Sequence, residues 1–96
     1  MTYAEVKAAG AKIMGTPSYI PKDEWEEMSI NRLCQIKADM VTKLPAVRTS
    51  EQREWAERSN RYLSKALEKA ERGERVFGVA WDEEGTDFLF ASVEHS

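Results

Sequence analysis

The chain has 96 residues, 42% hydrophobic and 32% charged, with 17 acidic and 14 basic side chains and a formal net charge of −3. That length makes one domain, residues 1–96, with a single modest core, and the composition is that of a globular chain rather than a disordered one. The mild, interspersed charge argues against a strongly basic nucleic-acid binder and falls short of the dense acidity of a nucleic-acid mimic.

The first helix is expected from about Tyr3 to Met14. Thr2 and Glu5 have capping-box spacing, in which hydroxyl and carboxylate each satisfy an orphan backbone N–H. Tyr3, Val6, Gly10 and Ile13 fall on one face, and Gly15 stands where a left-handed C-terminal cap is wanted. Gly10 inside that helix costs about 1 kcal/mol relative to Ala and marks close approach of another element. TPSYIP, residues 16–21, reads as an extended loop because two prolines exclude helix. The second helix is expected over 23–44, with Trp25, Met28, Leu33, Ile36, Met40 and Leu44 as its apolar face. The wide gap at Ser29, Ile30 and Asn31 allows a kink there, or a restart capped by Ser29, and Pro45 ends the element.

PAVRTS leads into the third helix, 50–72, where Thr49 and Gln52 repeat the capping-box spacing. Trp55, Ser59, Tyr62, Leu63, Ala66, Leu67 and Ala70 form its inward stripe, and Gly73 stops it. Glu54–Arg58, Glu57–Arg61 and Glu68–Arg72 are i,i+4 pairs with the acid N-terminal, each worth ~0.2–0.5 kcal/mol.

A β-hairpin over 75–93 completes the fold, giving an α+β chain, mainly α: three helices followed by a C-terminal antiparallel β-hairpin packed on them. Glu83-Glu84-Gly85 suits a type I turn followed by Gly in the left-handed region. In that register Trp81 faces Asp87, Ala80 meets Phe88, Val79 faces Leu89, Gly78 meets Phe90 and Phe77 faces Ala91. Both faces are then apolar: Phe77, Val79, Trp81, Leu89 and Ala91 on one, Val76, Ala80, Phe88 and Phe90 on the other. Two strands alone are marginal, so one face packs on the helices. The other needs a cover: the first helix, the TPSYIP loop, a second copy or a different protein.

Chemical signatures are few. Cys34 is the single cysteine and His95 the single histidine, so neither an internal disulfide nor a Cys/His zinc site can form within the chain. DEEGTD lacks the ligand spacing of a calcium loop and reads as the hairpin turn. Asp23, Glu24, Glu26 and Glu27 around Trp25 suit the positive end of a helix, or an acidic docking surface with Trp25 as anchor. Cys34 is expected buried and inert, with no base near it. GTPS at 15–18 lacks the lysine and strand context of a phosphate loop. No catalytic, cofactor or metal constellation is present, so no enzyme is expected. No apolar run reaches the roughly 20 residues of a membrane span. The opening MTYAEVKAAGAK does not have the order of a secretory signal. Cytoplasmic residence is the expectation, or the host cytoplasm for a phage-encoded chain.

Two functions follow. The leading one is a small non-enzymatic interaction module, of inhibitor or adaptor type, that docks on a macromolecular partner. A phage or mobile-element inhibitor of a host system is one such case. Its interface is Phe77, Trp81, Phe88, Phe90 and Trp25, displayed by a monomer or a homodimer. The alternative is nucleic-acid or nucleotide binding through a basic stripe on the third helix. Arg58, Arg61, Lys65, Lys69 and Arg72 recur there at three and four residues with Tyr62 at the border, flanked and partly neutralised by Glu54, Glu57 and Glu68.

Overall fold

A computed structural model describes residues 1–15, 17, 19–22, 24–43, 49–80 and 88–93, Lys43 and Trp55 by backbone only. The elements are α1 (Tyr3–Ala8), β1 (Lys12–Ile13), β2 (Glu26–Met28), α2 (Ile30–Lys43), α3 (Ser50–Glu71), β3 (Val76–Ala80) and β4 (Phe88–Ser92). The strands form one antiparallel sheet in the order β1-β4-β3-β2. The α2–α3 pair covers one face, and α1 with the segment leading to Trp25 covers the other.

The expected hairpin register is the observed one, with Val79 opposite Leu89, Phe77 opposite Ala91 and Gly78 opposite Phe90. Its turn, with Trp81 and DEEGTD, lies outside the described residues. Strand alternation sorts the side chains into two clusters. Val76 and Phe90 pack with Met28, Leu33, Ile36, Leu63 and Ala66 on the helical side. Phe77, Val79, Leu89 and Ala91 pack with Val6 and Trp25 on the other.

Two helices differ from expectation. The first ends at Ala8 rather than Met14. Gly10 at φ 88° is its left-handed stop, where Gly10 N–H donates to the Lys7 carbonyl at 3.0 Å and Ala11 N–H to the Val6 carbonyl at 3.4 Å. That is a Schellman cap, and it releases Lys12–Ile13 to pair with Ser92 and Ala91. The expected capping box of Thr2 and Glu5 does form. The second helix starts at Ile30, not residue 23, with Ser29 Oγ accepting from the Arg32 N–H at 3.1 Å. Ahead of it, Glu26–Met28 is a strand paired with Val76–Gly78. The acids there are therefore not a helical first turn. Glu27 instead pairs with Arg75 at 2.8 Å and Glu26 with Arg32 at 3.5 Å.

The second face of the hairpin is closed by local geometry. Trp25 Nε1 donates to the Pro21 carbonyl at 2.6 Å, and the Tyr3 and Trp25 rings stack at 5.8 Å. The Trp25 and Met1 backbones exchange hydrogen bonds, both at 2.8 Å, and Tyr3 N–H donates to the Lys22 carbonyl at 2.8 Å. These bonds fix the indole in the same buried cluster as Phe77. The third helix runs as expected, Thr49 and Gln52 completing its capping box. Gly73, at φ 87°, closes it with a second Schellman cap.

Candidate functional site

The hydrophobic interface expected from the sequence is largely interior. Trp25 is 1% exposed, Phe77 0% and Phe90 3%, so all three are core residues. The reason is the cover just described: helices take Phe90, and the N-terminal segment takes Phe77. Phe88 is half-buried against the helical cluster, its ring 6.0 Å from that of Phe90. Trp81 lies outside the described residues. Cys34 is exposed rather than buried, because the inward stripe of α2 is Leu33, Ile36 and Met40 and leaves it on the outer side.

The basic stripe is where the helix periodicity places it. Arg58, Arg61 and Lys65 are exposed along one flank of α3, while Tyr62 and Lys69 are half-buried. Of the expected i,i+4 pairs only Glu68–Arg72 closes, at 2.7 Å. Among the described residues, Arg58, Arg61 and Lys65 have no carboxylate within 4 Å. From Arg58 to Lys69 the stripe covers twelve residues, about 16 Å of helix at a rise of ~1.5 Å per residue.

Beside this flank lies a cleft of about 310 Å³, lined by Lys12, Ile13, Met14, Gly15, Tyr62, Lys65, Lys69 and Ser92. Its walls are the edge strand β1 and α3. Lys12 stands opposite Ser92 in the register, which puts it on the helical side of the sheet, facing the same opening as the α3 lysines. Gly15 forms part of the rim at φ 94°. A Cβ there would lie 3.1–3.2 Å from the Tyr62 Cζ and hydroxyl oxygen, so glycine is what lets the ring sit against this turn. Among the described residues, Lys69 is the lysine of the cleft with a carboxylate within 4 Å, Glu74 Oε1 at 4.0 Å. The cap at Gly73 turns the chain back and sets Glu74 there, its N–H donating to the Lys69 carbonyl at 3.1 Å.

The chain matches no protein family, no curated protein and no solved structure.

The cleft is bordered by three lysines, Lys12, Lys65 and Lys69. It brings together Tyr62, Lys65 and Lys69, expected from the sequence, with Lys12, Gly15 and Ser92, which were not. Arg58 and Arg61 extend the same charge along the helix without lining the cavity. Among the described residues no group of His, Cys, Asp and Glu could hold a metal ion, and no helix is long and apolar enough to cross a membrane.

Proposed function

We propose that the protein is a non-enzymatic docking module for an anionic partner, engaged by the basic flank of α3 and the cleft beside it. The supporting observation is that lysines from two distant parts of the chain, Lys12 of β1 and Lys65 and Lys69 of α3, line one open concavity. Ammonium groups gathered at one opening repel each other, and neither Lys12 nor Lys65 is engaged in holding the core together, since both are exposed. A bound anion relieves that repulsion and gains in steered association as well. The acids responsible for the net charge of −3 include Glu26 and Glu27, on the strand at the opposite edge of the sheet. Glu54, Glu57 and Glu68 flank the stripe on α3 itself, but among the described residues no carboxylate lies within 4 Å of Arg58, Arg61 or Lys65.

The test is retention of the folded chain on columns of single-stranded DNA and of poly-L-glutamate. Retention at low salt on either matrix, falling steeply as salt rises, supports the reading. An Arg61→Glu, Lys65→Glu double variant should elute early with an unchanged circular-dichroism spectrum. Passage of the unmodified chain through both columns at low salt would refute it.

A second reading places a protein partner, a second copy included, on the outer face of α2. Ile30 is 44% exposed and Val41 53%, with exposed Cys34 and Ala38 between them at helical spacing. Val41→Asp should then lower the solution mass of any dimer. A chain that is monomeric at high concentration removes self-association through this strip.

A further inference from the structure

We infer that the cleft seats a terminal phosphate monoester, the group carried by a nucleotide or by the 5′-phosphorylated end of a single strand. This rests on the docking reading above and specifies the chemistry of the anion. Lys65 and Lys69 stand one turn apart on α3, and Lys12 approaches from the sheet edge, so three lysines line the cavity from two sides. A phosphate monoester offers three terminal oxygens and a charge of about −1.5 to −2 near neutral pH. A carboxylate or an internal phosphodiester offers two terminal oxygens and a single charge. Three point-charge donors match the first better than the others. Glu74 stands beside Lys69 alone, leaving Lys12 and Lys65 with no carboxylate within 4 Å among the described residues.

Size points the same way. A cavity of about 310 Å³ is at the lower end of the range of small-molecule sites, roughly 300–1,000 Å³. It admits a phosphate with one attached ring and excludes a duplex. The Tyr62 ring and hydroxyl line the wall where a sugar or base would lie. A strand held by its phosphorylated end would continue along α3 past Arg61 and Arg58.

The experiment measures binding of the intact chain at low salt to adenosine 5′-monophosphate, to a 5′-phosphorylated hexathymidylate, to the same strand with a 5′-hydroxyl, and to poly-L-glutamate. The phosphorylated strand should bind at least about tenfold more tightly than its 5′-hydroxyl counterpart. Lys12→Gln should weaken it by about tenfold, the loss of one charge-assisted hydrogen bond. Binding of the mononucleotide as well makes the nucleotide a sufficient source, and binding of the phosphorylated strand alone assigns the strand. Equal affinity for the two strands, or no effect of Lys12→Gln, overturns the monoester seat. Binding of poly-L-glutamate with neither phosphorylated probe bound also overturns it and leaves the docking reading standing. No binding of any probe overturns both.

Discussion

Gly78 is the position where the hairpin register can be tested as energy. It lies in β3 directly opposite Phe90, whose ring crosses the space a side chain would occupy. A Cβ built there lies 2.6 Å from Met28 Cε and 3.1 and 3.2 Å from the Phe90 ring carbons Cδ1 and Cε1. The Met28 methyl ends an unbranched chain and can swing away at little cost. The Phe90 ring cannot, because it is 3% exposed and packs with Leu33, Leu63 and Ala66 beneath the two long helices. Overpacking of this kind costs about 1–3 kcal/mol. Against it, replacing Gly by Ala recovers about 0.4–1 kcal/mol by restricting the unfolded chain. The net expectation for Gly78→Ala is a loss of about 1 kcal/mol, or a Tm lower by about 4–8 °C for a domain of this size. Urea and thermal unfolding by circular dichroism measure it, and a double-mutant cycle assigns the cause. In a Phe90→Leu background the ring carbons are gone, so Gly78→Ala should become neutral or mildly stabilising. If Gly78→Ala stabilises the parent protein, or costs the same in both backgrounds, the ring is not what demands glycine.

Phe77 and the basic flank should respond in opposite ways. Phe77→Ala should cost about 3–5 kcal/mol, most of the stability of a small domain, whereas Lys65→Glu should stay within about 0.5 kcal/mol of the parent in the same urea titration. Thr49→Ala removes the hydroxyl that accepts from Gln52 N–H at 3.1 Å, and should cost about 1 kcal/mol in chemical denaturation. Glu5 gives a pH signature. The backbone N–H and then the hydroxyl of Thr2 hold its pKa below the ordinary carboxylate value, so the folded state binds that proton more weakly than the unfolded one. Its contribution is present above the ordinary value and lost as pH falls through the folded pKa. The Tm gap between the parent and Glu5→Gln should therefore shrink from about pH 6 to about pH 3; a constant gap would contradict the box.

What could be read in advance was local. Thr2 with Glu5 and Thr49 with Gln52 announce helix starts because each box closes within four residues. Gly73 announces a stop, and the register expected from Glu83-Glu84-Gly85, with Gly78 opposite Phe90, is the observed one. What could not be read depends on distant partners. Lys12–Ile13 and Glu26–Met28 are two and three residues long, too short for a period of two to separate from a helical one. Each is a strand only because β4 or β3, far along the chain, supplies the ladder. Gly10 and Gly15, both at positive φ, bracket the first of them. That pair of glycines is the available signal, although in the sequence alone it reads equally as a helix interior and a helix cap. The site divided along the same line: α3 contributed residues visible as a periodic stripe, while Lys12 needed the sheet to bring it across.

This division bears on where a partner can bind. A hairpin with two apolar faces invites a hydrophobic interface, but the chain spends both faces on itself. Trp25 is the decisive residue, because its indole is fixed by the Pro21 carbonyl and its backbone by Met1, which keeps it in the buried cluster with Phe77. The face opposite the helical pair is closed by segments that the sheet itself organises, since β2 continues directly from Trp25 and β1 follows directly from the α1 cap. Uncovering the hairpin would mean breaking β-ladder as well as packing, a cost that a docking partner would have to repay before any net affinity appeared. The flank of α3 carries no such penalty. Its exposed cations are already positioned by a helix whose inward residues Ala56, Leu63 and Ala66 are buried, so binding there needs no rearrangement of those contacts.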